Sequence, residues 1–210
     1  MLTGELGIRC SCGTLRGIAR EVSPAAGIHA VCYCDDCQAF AHFLNRPGEI
    51  LDAQGGTEVF QMSAARLSID AGAERLACMR LSPRGMCRWY ASCCNTPLGN
   101  TLPKPTIPFV GLIGLAFMRP AADPLLASAL GPIRARAFGK FARGGIAAVP
   151  AGGSLAAVVV RFGALALKWR LRGDQRRSAF FVPGTAEPIA VPRVLTLDER
   201  EELRLRVRAG

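Results

Sequence analysis

No cysteine follows Cys94 in this chain of 210 residues, and histidine occurs only twice, at His29 and His42. Thiol chemistry is thereby confined to the first half. The start, "MLTGELGIRC", has neither the basic residues nor the apolar run of a secretory signal, which predicts a reducing, cytoplasmic setting. The most apolar stretch, "LAAVVVRFGALALKW", is short and interrupted by Arg161, which excludes a transmembrane segment. Aromatic residues are sparse among the basic ones (Phe138, Phe141 and Trp169), which argues against stacking on bases. There is no internal repeat.

Against these absences stand nine cysteines. An odd number in a chain that is not exported argues against a disulfide framework. A chain of this length can also bury a core without covalent staples. The thiols are therefore available for metal binding or chemistry.

Charge is split differently. Residues 1–100 hold nine Lys/Arg and nine Asp/Glu, whereas residues 101–210 hold seventeen and seven, so the whole net charge of +10 lies in the second half. Between Arg134 and Arg177 there are ten basic residues and one acid, Asp174. Both asymmetries change near "TLPKPTIP", whose three prolines mark a boundary. The expected organisation is a zinc-binding β domain over 1–115 and a basic, largely helical extension over 116–210 that packs on it.

The first half reads as short strands at roughly ten-residue spacing. "GIRCSCGTLRGIAREV" turns at Cys12-Gly13, and "GIHAVCYC" runs into a thiol cluster. "TEVFQMS" and "RLSID" look like a pair, "RLACMRLS" and "MCRWYAS" follow, and "PFVGLIGLAF" could close the sheet. One helix is predicted in "DDCQAFAHFLN", capped by Asp35 or Asp36. In the second half, Asp123-Pro124 opens a helix ending at Gly131, and Pro132 could restart one through Arg143. Ser154 could cap a helix through Arg172, with Leu155, Val158, Val159, Phe162, Leu165 or Ala166, and Trp169 on one face. Thr196 and Glu199 form a capping box before a last helix. The fold class is α+β: a mainly β core of two small antiparallel sheets with an α-helical extension.

The thiols are clustered. "CSC" at 10–12 and "SCC" at 92–94 could each present sulfurs from one turn, and "CYCDDC" at 32–37 supplies three from one loop. Zinc takes thiolates in a tetrahedral shell, and a three-sulfur site leaves a corner for water or an incoming thiol. Cys78 and Cys87 lie in strand-like runs and read as buried packing residues.

"CSCGTLRG", "CYCDDCQ", "GGTEVFQMS" and "RWYASCCNTPLGN" occur in that order. The arrangement resembles the glutathione-dependent formaldehyde-activating enzyme family, which includes centromere protein V. The resemblance covers roughly residues 5–115. It implies a mostly β fold with two zinc ions: a structural one on Cys10, Cys12 and Cys93, and a reactive one on Cys32, Cys34 and Cys37. The family pattern would place a cysteine at Tyr90 and a glycine at Cys94, so the fourth structural ligand is Cys94, Cys87 or missing. It would also place a histidine at Tyr33, which removes a candidate acid or base; His42 could approach the triple if that segment is helical.

Three functions follow. The first is a carbon–sulfur lyase-like enzyme acting on a glutathione-type thiol adduct, with one or two Zn2+ per chain. The second is a non-catalytic zinc scaffold that binds a macromolecule. The third is weak binding to an anionic surface through residues 134–177.

Overall fold

A computed structural model describes residues 4–118 and 123–209. The chain runs β1 (Gly4–Arg9), β2 (Arg16–Val22), β3 (Ile28–Cys32), α1 (Asp35–Phe43), α2 (Pro47–Ile50), β4 (Thr57–Ser63), β5 (Leu67–Ala71), β6 (Leu76–Arg80), β7 (Cys87–Ala91), β8 (Thr96–Thr101) and β9 (Phe109–Ile113). There follow α3 (Pro124–Leu130), β10 (Ala135–Ala137), α4 (Leu155–Leu171), β11 (Arg193–Val194) and α5 (Leu197–Ala209). The fold is α+β with a β-rich core.

Strands β1, β2 and β5 form a small antiparallel sheet. The larger sheet has eight strands in the order β10-β3-β4-β9-β8-β7-β6-β11. Its six inner strands pair antiparallel, while β10 and β11 pair parallel with β3 and β6. The second half thus supplies both edges of this sheet. An edge strand presents unpaired amides and carbonyls, and pairing removes that liability.

Alternation along the strands divides the core in two. One face of the large sheet packs Phe60, Met62, Trp89, Leu98 and Leu112 against Leu6, Ile8, Ala19 and Leu67 of the small sheet, joined by Phe180 and Phe181. The other face packs against helices through Phe40 of α1, Leu165 and Trp169 of α4 and Leu203 of α5. Asp174, the one acid of the basic stretch, is fully buried; it accepts a hydrogen bond from Ser63 Oγ at 2.7 Å and pairs with Arg177 at 3.0 Å. No described helix is long and apolar enough to cross a membrane.

Several helix signals hold. Asp123 Oδ1 accepts from Leu125 N, Ser154 Oγ accepts from Ala157 N, and Thr196 and Glu199 bond each other's backbone amides. Gly173 ends α4 in the left-handed conformation, φ 75°.

Four expectations need correction. "TEVFQMS" and "RLSID" do not pair: β4 lies inside the large sheet and β5 edges the small one, with a 3-10 turn between them. The segment 132–143 is not a helix, because β10 is captured by the open edge of β3, with further bonds from Arg134 N to His29 O and from Tyr33 N to Ala137 O. The buried stripe of α4 is Val158, Phe162, Leu165, Ala166 and Trp169; Leu155 lies in an exposed first turn and Val159 faces outward. The cap position of α1 is Cys34, with Asp35 and Asp36 in the first turn, where their charge complements the helix dipole.

Candidate functional site

The first thiol group joins two hairpin turns. Between β1 and β2, Cys10 and Leu15 bond through their backbones, Gly13 N donates to Cys10 O, and Leu15 N also donates to the Cys10 sulfur at 3.2 Å. Between β7 and β8, residues 92–95 turn with Asn95 left-handed, φ 53°. Thr96 clips the turns together: its Oγ1 accepts from Ser11 N at 2.9 Å, donates to Ser11 Oγ, and lies 3.1 Å from the Cys94 sulfur. Arg46 donates to Cys94 O and Thr96 Oγ1 from the helical side.

The sulfurs of Cys10, Cys12, Cys93 and Cys94 all lie within 4.8 Å of one another. The Cys10–Cys12 and Cys12–Cys93 separations are 3.4 Å, and Cys10–Cys93 and Cys93–Cys94 are 3.8 Å. A tetrahedral zinc with Zn–S of about 2.3 Å sets its sulfurs about 3.8 Å apart. The fourth sulfur of the group is that of Cys94. Cys87 lies buried with Cys78 in the core, and Tyr90 packs edge-on against Phe40 and Phe43. All nine cysteines are free.

The second group is formed where β3 runs into α1. Cys32 ends the strand, Cys34 caps the helix, and Cys37 returns on its first turn, its amide donating to Cys34 O at 3.0 Å. The three sulfurs lie within 4.8 Å, with Cys32 and Cys34 3.4 Å apart. Since Asp35 and Asp36 leave the cap position to Cys34, its sulfur remains in the cluster.

In both groups the crowded thiols are driven apart in pKa by their neighbours. The side chain and backbone of Thr14, then the Cys93 and Cys10 thiols, pull Cys12 down to about 6, while Cys93, desolvated and beside the other thiols, is pushed up to about 12. In the triple, the neighbouring Cys32 and Cys34 thiols and the Arg88 guanidinium hold Cys37 well below the ordinary thiol range, against burial. Cys32 is raised, and Cys34 is pushed up to about 12. Sulfurs this close cannot all be anionic without a cation among them. Both donor sets therefore suit a thiophilic divalent metal.

A cavity of about 720 Å³ opens on the helical side of the large sheet, and the triple forms part of its lining. Its floor is sheet: Val59, Gln61, Gly111, Asn100 and Arg88. Its apolar walls include Met86, Leu102, Phe109, Phe138, Phe141 and Phe162. Arg88 is only 3% exposed. Its guanidinium lies 3.9 Å from the Cys37 sulfur, 3.4 Å from Asn100 Oδ1 and 3.6 Å from Asp36 Oδ2, and over the Phe40 ring. Burial opposes its charge, yet Cys37, Asp36 and Cys34 raise its pKa overall.

Neither histidine lines this cavity. His29 lies on β3 with the alternation opposite to Cys32, bonded to Glu58 and Gly131 O. His42 follows Cys37 by five helical residues, roughly 140° around the axis. Tyr33 is fully buried and bonded to Asp52 and Arg136. Sequence reasoning missed Arg88 and Gln38. The buried Gln38 amide donates to Tyr33 O and to Phe141 O, tying the thiol loop to the cavity wall. Their signal was a polar side chain at a position whose periodicity is buried: Arg88 between Cys87 and Trp89, and Gln38 before Ala39-Phe40.

Fold and clusters together define an α+β protein with two cysteine groups able to hold metal ions. The chain belongs to a family described as a family of unknown function (DUF6151), whose profile matches residues 3–190. The match takes in both thiol groups, the cavity walls and β10, so it extends well past residue 115. No curated protein matches the chain.

Proposed function

We propose that the protein is a zinc-thiolate enzyme of carbon–sulfur lyase type, acting on a thiol adduct whose reacting head is of the glutathione–aldehyde kind. Cys10, Cys12, Cys93 and Cys94 would hold a structural zinc, and Cys32, Cys34 and Cys37 a reactive one. The observation that carries this reading is that Cys32, Cys34 and Cys37 all line a large cavity. Zinc held there by Cys32, Cys34 and Cys37 would supply a Lewis acid that favours the thiolate form of an incoming sulfur. Arg88 offsets the negative charge of the three thiolates. Addition of a thiol to an aldehyde forms a C–S bond and moves the thiol proton to the carbonyl oxygen, and the reverse cleaves that bond. Among the lining residues, Asp35 and Asp36 supply carboxylates that can hold this proton, and Gln61 and Asn100 supply amide donors for the oxygen.

The test is exchange between free thiol, formaldehyde and adduct, followed by NMR on zinc-loaded protein. Cys34→Ser should abolish any acceleration and leave the fold intact. Unchanged exchange in that variant would refute the assignment.

A second reading, binding of residues 134–177 to an acidic membrane surface, is supported by the outer face of α4. Val160, Leu167 and Leu171 are each more than half exposed, beside exposed Lys168, Arg170 and Arg172. Co-sedimentation with acidic but not neutral vesicles, weakened by salt and by replacing those three basic residues with Gln, is the expected result. Equal sedimentation with both vesicle types would contradict it.

A further inference from the structure

We propose that the cavity selects a thiol, or its aldehyde adduct, whose carbon part is a short apolar chain or ring, in preference to glutathione itself. The proposal rests on the reading of the triple as a sulfur-binding site and adds the body of the ligand.

The sulfur head is set by the triple in the cavity lining, and the body by the rest of the lining. Glutathione carries two carboxylates and an ammonium group, and burying charge requires partners. Arg88 is the cation of the lining, and it is already engaged by Asp36, Asn100 and Cys37. Asp35 and Asp36 beside the triple would repel a carboxylate. Apart from the neutral amides of Gln61 and Asn100 on the floor, the remaining lining residues are aliphatic and aromatic. Several stay open to water: Phe138 is 55% exposed, Phe141 38% and Ile107 37%. A volume near 720 Å³ lies within the range of small-molecule sites, about 300–1,000 Å³.

Two backbone features keep this space open. Phe138 adopts a left-handed conformation, φ 62°, which is unfavourable for an aromatic residue. It is held there by Phe141 N donating to Phe138 O, by the continuation of β10, and by Gln38 gripping Phe141 O. The strained residue presents its ring at the cavity, where strain commonly marks a ligand contact. On the floor, a Cβ at Gly111 would meet nothing closer than Phe109 Cε2 at 3.9 Å. Glycine is therefore not demanded by backbone crowding there, and any larger side chain would project into the cavity.

The experiment is calorimetric titration of the zinc-loaded full chain with ethanethiol, butanethiol, hexanethiol, glutathione and hexanol. Affinity should rise about fourfold per buried methylene along the thiols, and glutathione should bind more weakly than butanethiol. Gly111→Val suits a strand, and Phe138→Gly suits the left-handed backbone, so both variants should keep their thermal stability. Each should flatten the chain-length dependence. A flat dependence in the unmodified protein, or glutathione binding as tightly as hexanethiol, would overturn the cavity proposal and leave the sulfur site standing. An unchanged slope in both variants, or no binding of any thiol, would also overturn it. Hexanol binding as tightly as hexanethiol would instead remove the sulfur-binding reading beneath it.

Discussion

Arg88 meets a different group on each side: the Cys37 sulfur, the Asn100 amide, the Asp36 carboxylate and the Phe40 ring. A buried guanidinium is expensive unless it is paired, and here its partners are the Asp36 carboxylate and the Cys37 thiol of the triple. Three thiolates around one divalent ion would leave a single negative charge, which the adjacent Arg88 would favour. Arg88→Met should therefore lower metal affinity at the triple by about 10- to 100-fold, the usual cost of losing an outer partner of a metal ligand. The four-thiol group, which Arg88 does not touch, should keep its metal. Competition with a chromophoric chelator would resolve the two affinities. At this scale the sequence was informative about the thiols, because their short spacings already confine the sulfurs to single turns. It was silent about Arg88 and Gln38, since a lone polar residue in an apolar run identifies its partners only when the distant strands and turns are in place. Cys94 shows the intermediate case. Adjacent cysteines look awkward as joint ligands, and the left-handed turn at Asn95 lets both sulfurs face the same point.

Among the elements, β10 alters the site most. A tripeptide of alternating Ala and Arg has little strand preference, and its pairing is imposed by the open edge of β3. That capture brings Phe138 and Phe141 to the cavity, and His29 helps to fix it. The Nδ1 of His29 lies 2.7 Å from Gly131 O and its Nε2 2.7 Å from Glu58 Oε1; a carbonyl and a carboxylate only accept, so both bonds are made together only when both ring nitrogens carry protons. Burial pulls the His29 pKa down, but the bonds to Glu58 and Gly131 more than reverse this and raise it above 6.5. The same pair lowers Glu58 below 4.5. Stability from the raised histidine is full below pH 6.5 and is lost as pH rises through its folded pKa. Stability from the lowered carboxylate is present above pH 4.5 and is lost as pH falls through its own. The stability gap between the unmodified protein and His29→Leu should thus be widest between these values and narrower at pH 9. Its change should be about 1 kcal/mol or less, because Glu58 is 43% exposed and solvent screens the pair. Urea denaturation of both proteins at pH 6 and pH 9 measures it; equal gaps would contradict the pairing. The helices were more legible than β10, since Ser154, Gly173 and the Thr196–Glu199 box act locally.

Taken whole, the molecule joins its halves through the large sheet. The acid-balanced first half supplies both thiol groups and five of the six inner strands, and the basic second half adds β9, closes both edges and contributes much of the cavity wall. The composition shift near residue 100 was visible in the sequence, but how the halves interlock was not, because strand pairing over such separations leaves no periodic trace. The two thiol groups differ in what they tie together. Cys10 and Cys12 reach Cys93 and Cys94 across more than eighty residues, whereas Cys32, Cys34 and Cys37 close a single loop. A metal at the first should contribute directly to folding, and one at the second mainly to chemistry. The most direct test is native mass spectrometry of the purified chain, read beside its melting temperature. Two zinc ions per chain are expected, with Cys34→Ser keeping one and nearly its full stability, and Cys12→Ser losing the other together with the fold. A metal-free chain that is folded and thermally stable would contradict the account.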